Sequence, residues 1–242
     1  YIIPPRSSFL LSDFSEIDLL AKVETKFDFV VVDPPWQNKS VKRKKRYYET
    51  FSMLNLVKIP MPEWCNENCL VAVWVTNKIK YQDYVREELF PSWNLQFVAT
   101  WYWLKVTKKL TPVYPLLLST SSTKHPKKPY ELLMLGRFRL EKYHLMSNSN
   151  IDCKIQDRMV IISVPSAIHS HKPYLREVFK DHLPEDAKCL ELFARNLQSG
   201  WTSWGNEVRV CVWIYQQYIF ISLSLLGMQS TLACSQDLIN II

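Results

Sequence analysis

The stretch that most constrains the fold is a short apolar run that ends abruptly in polar and aromatic residues. Three valines at positions 30–32 are followed by Asp33-Pro34-Pro35-Trp36. A β-branched run that stops at an acid and two prolines predicts a buried strand with a rigid polar cluster at its carboxyl end. Ligands of open α/β sheets bind at that edge. We therefore expect this segment to border a pocket for a planar, hydrogen-bonding group such as a nucleobase.

Strand-like and helix-like segments alternate along the rest of the chain, which predicts an α/β fold with a doubly wound sheet. We expect a mostly parallel central sheet with helices on both faces. Strands are predicted at 7–13, 27–32, 68–76, 95–104, 130–136, 159–164 and 188–196, and helices at 78–90, ended by Pro91, and at 174–182. Residues 105–129 and 200–207 are predicted to be loops. Trp101 and Trp103 are expected on one face of a strand, as core residues more often than ligands.

The length of the chain is sufficient for one domain with a full core. It has 242 residues, of which 48% are hydrophobic, and we expect a domain over 1–209 followed by an atypical hydrophobic tail over 210–242. Because the sequence starts at Tyr1, we expect an N-terminally truncated fragment. The apolar stretch 211–228 contains several Gln and Ser residues, so a membrane anchor is not expected. Six cysteines without CxxC spacing favour free thiols, and Cys65-x3-Cys69 is at most half of a metal site.

The charge of the chain indicates a polyanionic partner. Its formal net charge is +7, and clustered Lys and Arg favour nucleic acid. A basic run with two tyrosines directly follows Trp36, and its candidate nucleic-acid-binding residues are Lys39, Lys42, Arg43, Lys44, Lys45, Arg46, Tyr47 and Tyr48. A loop of this kind can grip phosphates while a tyrosine stacks a base. A solvated loop or a nuclear-import signal are the alternatives.

Three further segments carry candidate ligand groups. Lys127 and Lys128 lie between prolines and suit either an anion-binding loop or an ordinary surface loop. Ser170 is a candidate N-cap and Pro173 fits a first helical turn, so His171 and Lys172 are predicted at a helix N-terminus, where Lys172 can bind a carboxylate. Asn206 and Glu207 suit the two hydroxyls of a ribose, with a tight turn as the alternative. His169-x-His171 lacks a third ligand at metal spacing.

Several common catalytic signatures are missing from the sequence. It contains no G-x-G-x-x-G, no G-x-x-x-x-G-K-[ST] and no G-x-S-x-G. These absences disfavour a dinucleotide oxidoreductase, a P-loop phosphotransferase and a serine hydrolase.

Four motifs in a fixed order carry a family resemblance: D-P-P-W at 33–36, S-H-K-P at 170–173, E-L-F-A-R at 191–195 and W-G-N-E at 204–207. Together they resemble the adenine-N6 methyltransferases related to the mRNA adenosine methyltransferase. The resemblance covers about residues 2–208. It implies a Rossmann-like fold, S-adenosylmethionine as methyl donor, and transfer of the methyl group to the exocyclic amine of adenine without a metal.

The resemblance also implies roles for individual residues. Asp33 and the Pro34 carbonyl would accept hydrogen bonds from the target amine, in the same motif as Pro35, and Trp36 would pack on the base. Lys172, beside His171, would pair with the carboxylate of the donor. The remaining donor-binding residues would be Arg195, Asn196, Asn206 and Glu207 near the ribose, and Asp13 and Phe14 at the donor adenine. The turn Phe193-Ala194-Arg195-Asn196 replaces the glycine-rich donor loop of other methyltransferases.

The expected substrate is unpaired or flipped adenosine, because the base must leave its stack to be methylated. The resemblance implies RNA, with small nuclear RNA favoured, and DNA adenine as a variant; the expected location is the nucleus, with the cytoplasm as a second site. The alternative is a catalytically silent nucleic-acid-binding subunit, since the family includes partners that keep the fold without turnover.

Overall fold

The structure, a computed structural model, describes residues 3–12, 14–17, 24–36, 53–115, 127–139, 155–166 and 171–206. Within these ranges eight strands form one sheet. They are β1 (Ser8–Leu11), β2 (Phe27–Val32), β3 (Cys65–Val75), β4 (Leu95–Lys105), β5 (Tyr130–Phe138), β6 (Val160–Ser163), β7 (Cys189–Leu192) and β8 (Trp201–Gly205). The predicted strand at 27–32 has the predicted bounds.

The sheet has the order β1-β8-β7-β2-β3-β5-β4-β6. Strand β5 is antiparallel to both of its neighbours, β3 and β4, and every other pairing is parallel. The predicted mostly parallel sheet is therefore confirmed. The carboxyl ends of the seven parallel strands meet at one edge of the sheet, and the start of β5 lies at the same edge.

Short helices pack on both faces of the sheet. They are α1 (Met53–Leu56), α2 (Met61–Trp64), α3 (Ile79–Tyr84), α4 (Phe90–Ser92) and α5 (Leu175–Val178), with 3-10 turns at Phe14–Glu16 and Lys180–His182. A π-helical turn, Val85–Leu89, joins α3 to α4. The buried residues of α1 to α4 belong to one core cluster, and Leu175 of α5 belongs to the cluster on the other face.

Pro91 does not end the helix that follows β3, and this corrects the sequence prediction. The residue lies inside the final helical turn, which continues to Ser92. The π-helical turn explains the difference, because Phe90 N–H bonds to the Val85 carbonyl five residues earlier. The proline then enters at the first turn of a new helical segment, where a missing N–H is tolerated.

The segment predicted as a loop at 200–207 contains a central strand. Trp201–Gly205 forms β8, which pairs with β1 on one side and β7 on the other. Its glycine and small polar residues are typical of loops, so the sequence does not predict a strand here. In the structure Trp201 and Trp204 of this strand are fully buried. Another predicted loop, after β4, is also more regular than expected: residues 106–112 make a tight turn closed by a Val106–Pro112 bridge.

The core is divided by the sheet into two clusters. In β2, Val30 and Val32 face one cluster, while Phe29 and Val31 face the other. Trp101 and Trp103 lie in the second cluster and are buried, as predicted. Within the described residues no helix is long and apolar enough to cross a membrane. Residues 210–242, predicted to be a separate tail, lie outside the described ranges.

Candidate active site

Asp33 directly follows β2, in the middle of the carboxyl edge of the sheet. Its backbone N–H donates to the Leu192 carbonyl at the end of β7, at 3.3 Å, which continues the pairing of the two strands by one residue. In the next turn, Trp36 N–H donates to the Pro34 carbonyl at 2.8 Å. The Pro34 oxygen keeps a second lone pair for another donor. The sequence therefore places an acid and a carbonyl at the predicted edge.

Trp36 contributes more to the core than to an open binding surface. Its indole N–H donates to the Trp74 carbonyl at 2.7 Å, and its ring centroid lies 4.8 Å from that of Tyr81. Only 8% of the residue is exposed. These contacts fix the turn that presents Asp33, and the predicted packing of Trp36 on a base stays a prediction.

Lys172 reaches the same edge from the segment before α5. Its ammonium pairs with Glu131, and Nζ lies 3.6 Å from Oδ1 of Asp33. Nζ also lies 4.7 Å from the Trp74 ring centroid. The structure thus brings together two residues that are 139 positions apart, Asp33 and Lys172, both of which were predicted to be functional.

Glu131 and Lys105 complete a chain of alternating charges that sequence reasoning missed. Lys105 is the last residue of β4 and pairs with Glu131, which lies beside Trp103 in the β4–β5 register. The order across the edge is Lys105, Glu131, Lys172 and Asp33. Glu131 follows Lys-Lys-Pro-Tyr at 127–130, but only the antiparallel pairing of β5 reveals that its carboxylate faces Lys172.

In this row of four charged side chains, each charge favours the ionised form of its neighbours. Burial raises the pKa of Glu131, but the opposing effects of Lys172 and Lys105 are larger together and lower it to about 2. Burial lowers the pKa of Lys172, yet Asp33 and Glu131 raise it above its ordinary value. Opposite charges stabilise the ionised form of each partner. The site therefore holds a fixed ammonium between two carboxylates.

A third carboxyl group near these charges is that of Glu191, on strand β7 next to β2. It is 7% exposed, pairs with Val31 in the strand register, and accepts a hydrogen bond from Gln198 Nε2 at 2.9 Å. Burial, followed by the nearby Asp33, raises its pKa to about 7. The raised pKa of Glu191 therefore lies near neutrality.

The turn after β7 carries predicted donor-binding residues. Phe193 has a φ of 61°, a conformation that glycine usually supplies, and its ring stacks on Phe14 with centroids 6.1 Å apart. Both rings contact Trp204 of β8. These aromatic contacts hold the turn that continues into Arg195 and Asn196, both half-buried.

Gly205 closes this turn from the side of β8. A Cβ at this position would lie 2.4 Å from the Ala194 carbonyl oxygen, so only glycine permits the close approach. The Ala194 N–H donates to the Trp204 carbonyl at 2.8 Å. Asn206 follows directly and is exposed. Since β2, β7 and β8 are adjacent in the sheet, Asp33, Arg195 and Asn206 follow three neighbouring strand ends.

His171 and Lys172 do not start a helix, which corrects another prediction. Tyr174 is the N-cap residue of α5 and has an extended conformation (φ −73°, ψ 93°), so both residues lie before the helix, in a segment without regular secondary structure. Lys172 is therefore fixed by ion pairs rather than by a helix terminus. His171 is half-buried, and burial lowers its pKa.

Lys127 and Lys128 are exposed, and each ammonium lies over a tyrosine ring. Lys127 Nζ is 5.5 Å from the ring centroid of Tyr114, and Lys128 Nζ donates to the Tyr130 hydroxyl at 3.0 Å. Tyr130 precedes Glu131, so these lysines lie close to the charge chain along the sequence. Their role in binding nucleic acid stays a prediction.

Other predicted site residues lie outside the described ranges, namely Asp13, Lys39, Lys42, Arg43, Lys44, Lys45, Arg46, Tyr47, Tyr48 and Glu207. Among the residues that are described, no group of three or more His, Cys, Asp or Glu side chains could hold a metal ion. Cys65, Cys69 and Cys189 are buried free thiols.

Comparison with known proteins identifies the family of this site. The MT-A70 family model matches residues 27–207, which span the D-P-P-W motif, the charge chain and β8. Strand β1 and Phe14 precede the matched segment.

Three curated relatives are similar over most of the chain. It is 49% identical over 209 residues to the N(6)-adenine-specific methyltransferase METTL4 of Homo sapiens, covering 86% of this chain and 43% of that protein. It is 34% identical over 217 residues to the N6-methyladenosine RNA methyltransferase MTA1 of Pyricularia oryzae, covering 86% of this chain and 54% of that protein. It is 35% identical over 210 residues to the DNA N6-methyl methyltransferase of Caenorhabditis elegans, covering 86% of this chain and 53% of that protein.

The chain spans about half the length, or less, of these relatives. The family match nevertheless covers strands β2 to β8 of the sheet, and the mostly parallel α/β sheet agrees with the Rossmann-like fold expected from the sequence. The chain belongs to the MT-A70 family of methyltransferases.

Proposed function

We propose that this chain transfers a methyl group from S-adenosylmethionine to the N6 amino group of adenine in nucleic acid. The observation that carries the proposal is the position of Asp33-Pro34-Pro35-Trp36 at the carboxyl end of β2, with Lys172 Nζ 3.6 Å from Asp33. Family membership and the functions for which the relatives are named, which include RNA and DNA N6-adenine methylation, support it.

The residues at the edge fit S-adenosylmethionine, which supplies an electrophilic methyl group on a sulfonium when bound. Lys172 offers a cation for the carboxylate of the donor, and Asp33 an anion for its ammonium or sulfonium. Because Lys172 already pairs with Glu131, the donor carboxylate would share or replace that contact. Aromatic rings and polar groups suited to the nucleoside come from Asp13, Phe14, His171, Arg195, Asn196, Asn206 and Glu207.

Asp33 and the Pro34 carbonyl would act on the acceptor through position. The adenine amine is a weak nucleophile because its lone pair is delocalised into the ring. Two oxygen acceptors that orient the amino hydrogens direct that lone pair toward the methyl group. Asp33 accepts through both of its oxygens as a carboxylate, and Lys172 Nζ lies 3.6 Å from Oδ1. This chemistry requires no metal.

The nucleic acid would present an unpaired or flipped adenine, because the amine must reach Asp33 at the end of β2. We propose RNA, with small nuclear RNA favoured, and DNA as the variant substrate. The basic run Lys39 to Arg46, with Tyr47 or Tyr48, would hold the strand, together with Lys127 and Lys128. A nuclear location follows from this assignment, with the cytoplasm as a second site.

Methyl transfer with isotope-labelled donor tests the proposal. The protein is incubated with labelled S-adenosylmethionine and single-stranded RNA, duplex RNA or DNA oligonucleotides that contain adenosine. We expect label in at least one of them, and none in matched oligonucleotides in which every adenosine is replaced. Donor binding without transfer to any oligonucleotide would instead support the catalytically silent subunit.

A further inference from the structure

A small cationic surface with an exposed apolar side chain lies beside the D-P-P-W segment. It is formed by Lys78, Ile79 and Lys80, and we call it the Lys78–Lys80 surface. We propose that it binds the phosphate backbone and one base of a single-stranded polynucleotide that flanks the target adenine. The inference rests on the proposed function and adds a binding surface to it.

The position of this surface follows from the sheet. Its residues come directly after β3, which is the neighbour of β2, so they lie at the same carboxyl edge as Asp33. The connecting residues are anchored by two hydrogen bonds, from Asn77 Nδ2 to the Tyr130 carbonyl at 2.8 Å and from Gln82 Nε2 to the Thr76 carbonyl at 3.4 Å. The surface is thus held at a fixed position relative to the edge.

Tyr81 connects this surface to the D-P-P-W motif. Its ring centroid lies 4.8 Å from that of Trp36. Lys80 Nζ is 4.8 Å from the same tyrosine ring, and Lys78 Nζ is 5.3 Å from it. A single aromatic ring therefore separates two ammonium groups from the indole that fixes Asp33.

The charges of this surface favour an anion. The Lys78 and Lys80 ammonium groups lie near one tyrosine ring, so a phosphate at this surface would meet two positive charges. Among the described residues no carboxylate oxygen lies within 4.0 Å of Lys80 Nζ. Both lysines are exposed, so a strand that passes the pocket can reach them.

Ile79 makes a polynucleotide a better occupant than a protein. It is 72% exposed, the highest fraction among the large hydrophobic residues described. A single strand alternates charged phosphates with flat apolar bases, so the two lysines would contact phosphates while Ile79 contacts a base. A stable protein interface would need a larger apolar patch around it.

The test measures binding and salt dependence with the full protein that carries this chain. Fluorescence anisotropy follows an adenosine-containing single-stranded RNA, and a DNA strand of the same sequence, across a range of salt concentrations. The Lys78→Gln/Lys80→Gln variant is compared with Lys180→Gln/Lys188→Gln, which removes the same charge from exposed lysines distant from the edge. Thermal unfolding verifies that each variant folds.

We expect the Lys78→Gln/Lys80→Gln variant to bind the strand on the order of tenfold more weakly at 0.1 M salt, with the slope of log affinity against log salt reduced by about 1.4, since single strands contribute about 0.7 per phosphate contact. The control variant should change neither. In the transfer assay the KM for the strand should rise while kcat stays within about twofold. Ile79→Ala should weaken binding without altering the salt slope.

Equal affinities and slopes for the two double variants would overturn this proposal, even if the wild type methylates adenine. Loss of a protein partner from the Ile79→Ala variant, with polynucleotide binding unchanged, would overturn it as well. If the wild type binds the strand through this surface but transfers no methyl group, the proposed reaction fails while the surface assignment stands.

Discussion

Lys172 Nζ lies 3.6 Å from Oδ1 of Asp33, and this pair joins the D-P-P-W motif to a segment 139 residues later in the chain. The pair lies where β2 ends, between the strands that carry the remaining candidate residues. One ammonium there can serve the carboxylate of a donor, and one carboxylate can serve the amine of an acceptor. In the proposed reaction, this relationship would place a donor-binding group and an acceptor-binding group side by side.

Replacing the acid of this pair should remove the reaction while leaving the fold intact. We expect Asp33→Asn to lower kcat by on the order of 100-fold or more, because the anionic acceptor becomes a neutral amide in which one oxygen is replaced by a donor NH2 group. Donor affinity, measured by calorimetry, should change only a few-fold. The exposed Asp181→Asn variant serves as control. A normal kcat, or complete loss of donor binding, would remove Asp33 from the acceptor site.

Glu131 should make stability depend on pH in the acidic range. Its pKa in the folded protein is about 2, below the ordinary 4.5, so the ionised form stabilises the folded state above about pH 4.5. That contribution is lost as the pH falls from 4.5 towards 2. Glu131→Gln should therefore show a flatter loss of stability in this window than the wild type.

The measurement for Glu131 is chemical denaturation at several pH values between 2 and 6. Glu87→Gln, at an exposed helical position, provides the matched control and should follow the wild type. Parallel curves for Glu131→Gln and the wild type would show that the carboxylate between Lys105 and Lys172 does not stabilise the fold.

Glu191 should have the opposite effect on stability. Burial raises its pKa from 4.5 to about 7, so the folded state favours the protonated form. The stabilisation is full below about pH 4.5 and is lost as the pH rises to 7. Glu191→Gln keeps an oxygen for the Gln198 amide and removes the titration. Its stability relative to the wild type should therefore increase between pH 5 and 8, and exposed Glu177→Gln should show no such increase.

The parts of this site that could be predicted from the sequence are those marked by local patterns. A β-branched run ending in two prolines identifies β2 and Asp33 without any tertiary information. Lys172 could be selected from its motif. Its surroundings could not be predicted, because it lies before the helix, which begins only after Tyr174, and is held by ion pairs with distant residues. The basic and acidic candidates at 39–48, 13 and 207 lie outside the described residues, so those predictions remain untested.

The charge chain could not be predicted, because it depends on strand pairing between distant segments. Glu131 and Lys105 meet only because β5 is antiparallel between β3 and β4, and no short pattern reveals that direction. β8 was missed for a different reason. Its sequence Trp-Thr-Ser-Trp-Gly has the composition of a loop, whereas its two tryptophans and paired edges show a buried strand.

The glycine at the end of β8 should be intolerant of even a methyl group. Gly205→Ala would bring Cβ to 2.4 Å from the Ala194 oxygen, so the turn Phe193–Asn196 would have to move. We expect a loss of about 1–3 kcal/mol in the free energy of unfolding and weaker donor binding. Gly136→Ala, whose Cβ would approach side chains no closer than 3.1 Å, should be less harmful. Equal effects would exclude a special role for the turn.

The most direct test of the central claim is mass spectrometry of nucleosides after reaction with unlabelled donor. Adenosine-containing RNA and DNA oligonucleotides are treated with the full protein, digested and analysed. We expect N6-methyladenosine or its deoxy form after reaction with the wild type, and neither after reaction with Asp33→Asn. Methylation at another position of adenine or on another base would contradict the proposed function, and so would the absence of any methylated nucleoside.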